Sequence, residues 1–258
     1  MTLTHSADGT PVAFEAVGDG PTVVIVNGAF SVARDAHELA AALAAAGFRA
    51  VAYDRRARGG SGDTTPFRPE REVDDLSAVV SAVGGAAATL GHSSGAVLAL
   101  FAASLGVPTG HLFLSEPPFR CGEDEPPVDL VDRLQALIDA GRPEDAVTTF
   151  QLEAIGLPRE MVEQFAASPA FAPLVALAQS TVYDAWLTRD VSTPTAAMTA
   201  PPVPVSVLSG VETFPFLRAS AERLAALIPG AEFVSVPESV GHRVDPAATT
   251  RLVVDRLG

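Results

Sequence analysis

The chain has 258 residues, 48% hydrophobic and 19% charged, which supplies one sizeable core and excludes a disordered protein. Its net charge of −14 opposes nucleic acid phosphates and anionic membrane surfaces, so neither partner is expected. Cys121 is the only cysteine, which rules out an intramolecular disulfide, and it has no neighbour that would activate a thiol.

The N-terminal MTLTHSADGT lacks a basic segment followed by an apolar one, and no stretch reaches the roughly 18 apolar residues of a membrane span. A soluble, cytoplasmic protein is expected. The first twenty residues read as two short strands joined at Asp8-Gly9. Thr22 to Val26 is a β-branched run that suits a strand buried on both faces of a parallel sheet, and it ends in Asn27-Gly28-Ala29-Phe30. A helical pattern runs from Asp35 to Ala46, a strand from Phe48 to Asp54, and an Arg/Gly-rich loop to Asp63. Then come a helix over Pro69–Val83, a strand over Ala86–Leu90, a helix over Ser94–Leu105 and a strand over His111–Ser115.

This alternation predicts an α/β fold with a mostly parallel central sheet and helices on both faces. From Pro117 to Pro202 it stops. Helical patterns near Val128–Ala140, Pro143–Ile155, Arg159–Ala167 and Phe171–Leu187 replace it. The rhythm returns with strands at Val203–Leu208 and Ala231–Val236 and helices at Phe216–Leu227 and Pro246–Leu257. The expected division is a core of residues 1–116 and 203–258 with a helical cap, 117–202, inserted as a lid.

Gly91-His92-Ser93-Ser94-Gly95 fits G-x-S-x-G between a predicted strand and a predicted helix, the context that gives the pattern meaning. A sharp strand-to-helix turn exposes the middle side chain, and only small residues two positions away allow the backbones to pack so closely. Ser93 is therefore the candidate nucleophile. Ser94 opens the helix, where its amide is more useful than its hydroxyl. Of the five histidines only His242 lies in a loop after a strand's carboxyl end, so it is the candidate base; His92 is expected to point away from the nucleophile.

The third member has two candidates. After the strand at Val203–Leu208 the chain reads Ser209-Gly210-Val211-Glu212-Thr213-Phe214-Pro215, with no Asp, and Glu212 falls one position early. Glu116 directly follows the strand His111–Ser115 and precedes two prolines that would hold the carboxylate still, and it is preferred. Oxyanion donors are expected from the backbone of Ser94 and of Gly28 or Ala29. The Gly59-Gly60-Ser61-Gly62 loop lacks a phosphate-binding ending and reads as a structural turn near the site mouth; no metal or cofactor is implied.

Over nearly its whole length the chain resembles the α/β-hydrolase superfamily. The G-x-S-x-G turn, the Asn27-Gly28 loop, the Asp54-Arg55 to Gly62 turn and the Gly241-His242 loop fall in that family's order. Within it the sequence is similar to zearalenone lactonase-like serine hydrolases, which carry the triad Glu after the strand that follows the nucleophile helix, in a Glu-Pro-like context. That resemblance implies Ser93, His242 and Glu116 as the triad and a substrate-facing Trp, matched by Trp186. The expected activity is hydrolysis of a hydrophobic carboxylic ester or lactone, in a pocket whose candidate wall residues are Phe30, Phe119, Phe150, Phe165, Phe171, Tyr183, Trp186 and Phe214. A lyase, cyclase or perhydrolase on the same scaffold and a silent ligand-binding member stay open as alternatives. The sequence is compatible with a homodimer without specifying one.

Overall fold

The structure is a computed structural model describing residues 1–258. Eight strands form one sheet: β1 (Thr2–His5), β2 (Pro11–Val17), β3 (Thr22–Val26), β4 (Arg49–Tyr53), β5 (Ala88–His92), β6 (Leu112–Ser115), β7 (Val205–Glu212) and β8 (Glu232–Val240). Their order is β1-β2-β4-β3-β5-β6-β7-β8, antiparallel at the β1-β2 and β2-β4 pairings and parallel elsewhere. The ten helices are α1 (His37–Ala45), α2 (Pro69–Ala82), α3 (Ser94–Ser104), α4 (Leu130–Asp139), α5 (Pro143–Thr149), α6 (Arg159–Ala166), α7 (Phe171–Val175), α8 (Ala178–Asp190), α9 (Pro215–Leu227) and α10 (Pro246–Leu257).

The period of two in a strand explains the layering. Val24 and Val26 of β3 face one core with Val51, Leu112, Leu114 and Val207, while Val23 and Ile25 face the other with Ala50, Leu90 and Phe113. Leu76 and Val79 of α2, Leu98 of α3 and Leu224 of α9 close the first face. Leu39 and Leu43 of α1 and Val253 of α10 close the second. Each fully buried Val or Leu stabilises the fold by about 1.5–3 kcal/mol, and the central strands carry such residues on both sides.

The differences from the sequence expectation are at element ends. β5 starts at Ala88 and runs through His92, because pairing with β6 extends to His92 opposite Ser115. β7 and β8 run on to Glu212 and Val240, paired past an irregularity at Gly210/Glu212. The helical pattern from Asp35 begins as a tight 3₁₀ turn, Ala33–Ala36. Pro143–Ile155 is α5 followed by a π-helical stretch, Phe150–Ile155, and Phe171–Leu187 divides into α7 and α8.

Between β6 and β7 the chain is helical. Helices α4, α5 and α8 and the π-helical stretch share a cluster of Leu130, Leu134, Ala146, Phe150, Val182 and Tyr183 that packs on Ala29 and Phe30 of the loop after β3. The helical segment thus rests on the carboxyl edge of the sheet, where ligands bind in open α/β folds. No helix is long and apolar enough to cross a membrane.

Candidate active site

Neighbouring strands deliver the site residues to one edge. Ser93 follows β5, Glu116 follows β6 and His242 follows β8, while the Gly28-Ala29 loop follows β3 on the other side of β5. Ladder-like bonds hold two of these positions just beyond the strands: the Ser93 amide donates to the Ser115 carbonyl at 2.9 Å, and the Glu116 amide to the Leu208 carbonyl at 2.9 Å.

Ser93 has φ 54° and ψ −127°, a conformation that costs a non-glycine residue of order 1–3 kcal/mol and persists only where its surroundings enforce it. The enforcement is close packing: a methyl at Gly95 would lie 2.1 Å from the Val26 carbonyl oxygen, so only glycine lets α3 start against the end of β3. Phe30, Glu116 and His242 also have positive φ, at 60°, 49° and 59°. Four of the seven strained non-glycine residues therefore belong to this one edge of the sheet.

The carboxylate of Glu116 is 1% exposed and fully engaged. Oε1 accepts the Gly210 amide at 2.9 Å; Oε2 accepts the Thr213 hydroxyl at 2.9 Å and is hydrogen-bonded to His242 Nδ1. Burial would raise its pKa, but the His242 ring, the Gly210 amide and the Thr213 hydroxyl outweigh that and hold the carboxyl below its usual range. The loop carrying His242 is pinned at both ends. The Gly241 amide donates to the Glu212 carbonyl at 2.8 Å, and Asp245 caps α10 through the Ala248 amide at 2.8 Å. Glu212 itself ends β7 with an exposed side chain and contributes only backbone here.

Ser93, His242, Gly28, Ala29 and Ser94 line one cavity of about 250 Å³. A methyl at Gly28 would lie 2.8 Å from Ser93 Cβ, which measures how closely the two loops approach. The backbone amides of Ala29 and Ser94 donate to no protein acceptor, and Ser94 opens α3, whose dipole favours negative charge there. The Ser93 hydroxyl has no hydrogen-bond partner in the protein, and none joins it to the imidazole of His242.

Several expectations are corrected. His92 does not point away: it lines the cavity, with its ring centroid 4.6 Å from that of His242 and Nδ1 3.3 Å from the Ser115 hydroxyl. Burial, with the neighbouring His242, pushes His92 down to about 4, so it is a neutral imidazole near pH 7. Phe30 and Phe214 line the cavity as expected, but Phe119 does not. Its neighbours Pro118 and Arg120 take the wall while Phe119 turns into the main core. Tyr183 and Trp186 are also absent from the wall. Helical spacing gives Asp184 and Thr188 of α8 to the cavity, whereas Tyr183 stacks on Phe67 at 3.8 Å and bonds Asp63, and Trp186 packs on Phe67 and donates to Asp190. Phe150 lines the cavity as expected, whereas Phe165 and Phe171 pack against each other in a separate cluster, and Phe216 adds an aromatic wall that the sequence reading did not name.

Sequence reading missed the buried ionic frame beneath the cavity. Arg55 is bidentate to Glu72 at 2.7–2.8 Å and also donates to Asp184, to the Ser94 hydroxyl and to the Asn27 carbonyl. Arg58 donates to the other Asp184 oxygen at 2.7 Å and to the Gly28 carbonyl at 2.6 Å. Because C=O and N–H point opposite ways in a trans peptide, these grips turn the Gly28 and Ala29 amides away from the guanidiniums. Burial alone would raise Asp184, but Arg58 and Arg55 outweigh it and hold the carboxyl low. Removing one partner of such a pair costs about 3–5 kcal/mol through the stranded charge. The signal in the sequence was Asp184 within the Val182–Leu187 run of α8, where every other residue is apolar or aromatic. No cluster of three or more His, Cys, Asp or Glu side chains is arranged to hold a metal ion.

Comparison with known proteins agrees with this architecture. A family profile described as alpha/beta hydrolase family matches residues 23–255. An alpha/beta hydrolase from Sphaerobacter thermophilus is 41% identical, covering 98% of this chain and 99% of its own, with a TM-score of 0.90. An esterase from Exiguobacterium antarcticum (20% identity, 99% and 98% coverage, TM-score 0.72) and the enol-lactonase from Burkholderia xenovorans LB400 (21%, 98% and 98%, 0.68) share the fold. No curated protein sequence matches.

Proposed function

The chain belongs to the alpha/beta hydrolase family, and from that premise we propose that it is a serine hydrolase that cleaves a carboxylic ester or lactone through an acyl-enzyme. Ser93 attacks the carbonyl carbon as His242 takes its proton, and the Ala29 and Ser94 amides receive the oxyanion. The tetrahedral intermediate collapses, the C–O bond of the alcohol breaks, and His242 returns the proton to the leaving oxygen. Water, deprotonated by His242, then releases the acid and restores Ser93. Glu116 fixes the imidazole tautomer through Nδ1 and stabilises the imidazolium. The Ser93–His242 hydrogen bond forms in the substrate complex, since such contacts tighten as the site fills.

The observation that carries this reading is the strained, unpartnered Ser93 hydroxyl in a cavity shared with an imidazole anchored to a buried carboxylate. The mainly apolar wall of Phe30, Phe150, Phe214 and Phe216 supports an apolar substrate body, and residues 117–202 serve as its lid. Turnover of p-nitrophenyl esters tests it: activity should fall by at least about 10³-fold in Ser93→Ala. Equal rates would remove Ser93 from the reaction.

A further inference from the structure

The cavity wall contains one cation that makes no ion pair within the protein. Arg120, in the segment after β6, lines it with its guanidinium carbon 4.1 Å from the centroid of the Phe216 ring. Only Nη2 is used within the protein, donating to the Ala154 carbonyl at 3.1 Å and the Ile155 carbonyl at 3.4 Å. Nε and Nη1 have no protein acceptor, and Arg120 makes no ion pair; Asp124 and Glu125 act on it only at longer range. The carboxylates that border the site are already committed: Asp184 to Arg55 and Arg58, and Glu116 to His242.

A half-buried guanidinium against aromatic walls loses hydration and recovers it only from an acceptor that enters with the ligand. The protein's net charge of −14 disfavours an anion at long range, but screening confines that effect to about 8–10 Å in ordinary salt, and the charge at the cavity wall that lacks an ion-pair partner is positive, since Asp184 is paired with Arg55 and Arg58. We propose that the substrate carries a carboxylate, received by Arg120, on the part of the molecule that fills this cavity. The inference rests on the reading of this cavity as the substrate site, and it makes Arg120 the residue that separates acidic from neutral esters. The apolar wall takes the carbon chain between the carboxylate and the scissile carbonyl.

The test separates binding from turnover. Calorimetric titration of Ser93→Ala with monoethyl adipate and with ethyl hexanoate, which differ in the terminal carboxylate, reads the subsite whether or not the chain is a hydrolase. The acid should bind at least tenfold more tightly, and in Ser93→Ala/Arg120→Gln the preference should shrink to threefold or less. A smaller preference in the Arg120 protein, or one that survives in Arg120→Gln with its melting temperature unchanged, overturns the proposal. In the Ser93 protein the kcat/KM ratio of p-nitrophenyl hydrogen adipate to p-nitrophenyl hexanoate should follow the same pattern, with Arg120→Lys keeping part of it. Failure of both esters to turn over would count against the hydrolase reading alone, because the titration still decides the carboxylate site.

Discussion

Glu116 and His242, 126 residues apart in the chain, are joined by a hydrogen bond from the ring nitrogen Nδ1 to Oε2, and the end of β7 supplies the two other donors to that carboxylate. The Glu116 carboxylate therefore reaches the His242 ring past an intervening strand, and Gly210 and Thr213 of the β7 end hold it in transit. Three strands cooperate in fixing one imidazole.

If Glu116 orients His242, Glu116→Gln lowers kcat/KM for a nitrophenyl ester by roughly 10³–10⁴-fold. Thr213→Val, which removes one of the donors, lowers it by a few fold. Glu212→Gln, with its side chain exposed at the strand end, stays within twofold of the parent. Steady-state kinetics of the three variants checks the order, and loss of activity in Glu212→Gln alone would reassign the acid.

The depressed His92 pKa makes a statement about stability. The folded ring takes a proton near pH 4, whereas an unfolded histidine takes one near 6.5. Between those values the unfolded chain binds the extra proton, so stability falls as pH drops through that window, by at most about 1.4 kcal/mol per pH unit. Urea unfolding from pH 7 to 4 should show a shallower decline in His92→Gln than in the parent. Glu116, held low, adds its own contribution above the ordinary carboxylate value of 4.5 and loses it only as pH falls below that. Parallel stability curves for the parent and His92→Gln would contradict the first of these steps.

Gly95→Ala separates packing from propensity. Alanine should favour α3 by about 1 kcal/mol on helix propensity alone. The new methyl, 2.1 Å from the Val26 carbonyl, instead predicts a loss of about 3 kcal/mol or more, because β3 must move to admit it. Chemical denaturation reads the sign directly, and a stabilised variant would mean that the turn is not packed as described.

Much of this architecture was legible in the sequence because it rests on strong local signals. The β-branched run of Thr22–Val26 coincides with β3, and Pro246–Leu257 with α10, since proline at the first turn and the Asp245 cap mark its start. Ser93 was visible through the small residues its turn demands. Long-range relations were not. Glu116 and Glu212 both follow sheet strands, and what distinguishes them is how far β7 continues, which pairing with β8 decides. Trp186 and Tyr183 lie on the right helix but on the wrong face, because polar and apolar residues are mixed all round α8 and leave no periodic stripe to orient it. Arg55 and Arg58 fall in the loop that reads only as a structural turn near the site mouth, and their carboxylate partners Glu72 and Asp184 are drawn from two other elements.

The central claim is that the Ser93 oxygen forms a covalent bond to the substrate's acyl group, and the most direct measurement is peptide mapping by mass spectrometry after reaction with a fluorophosphonate. The account predicts one phosphonyl group per chain, on the peptide containing Ser93, absent in Ser93→Ala and much slower to form in Glu116→Gln. An unmodified Ser93 in a preparation that still turns over esters, or a label carried by another residue, would contradict it.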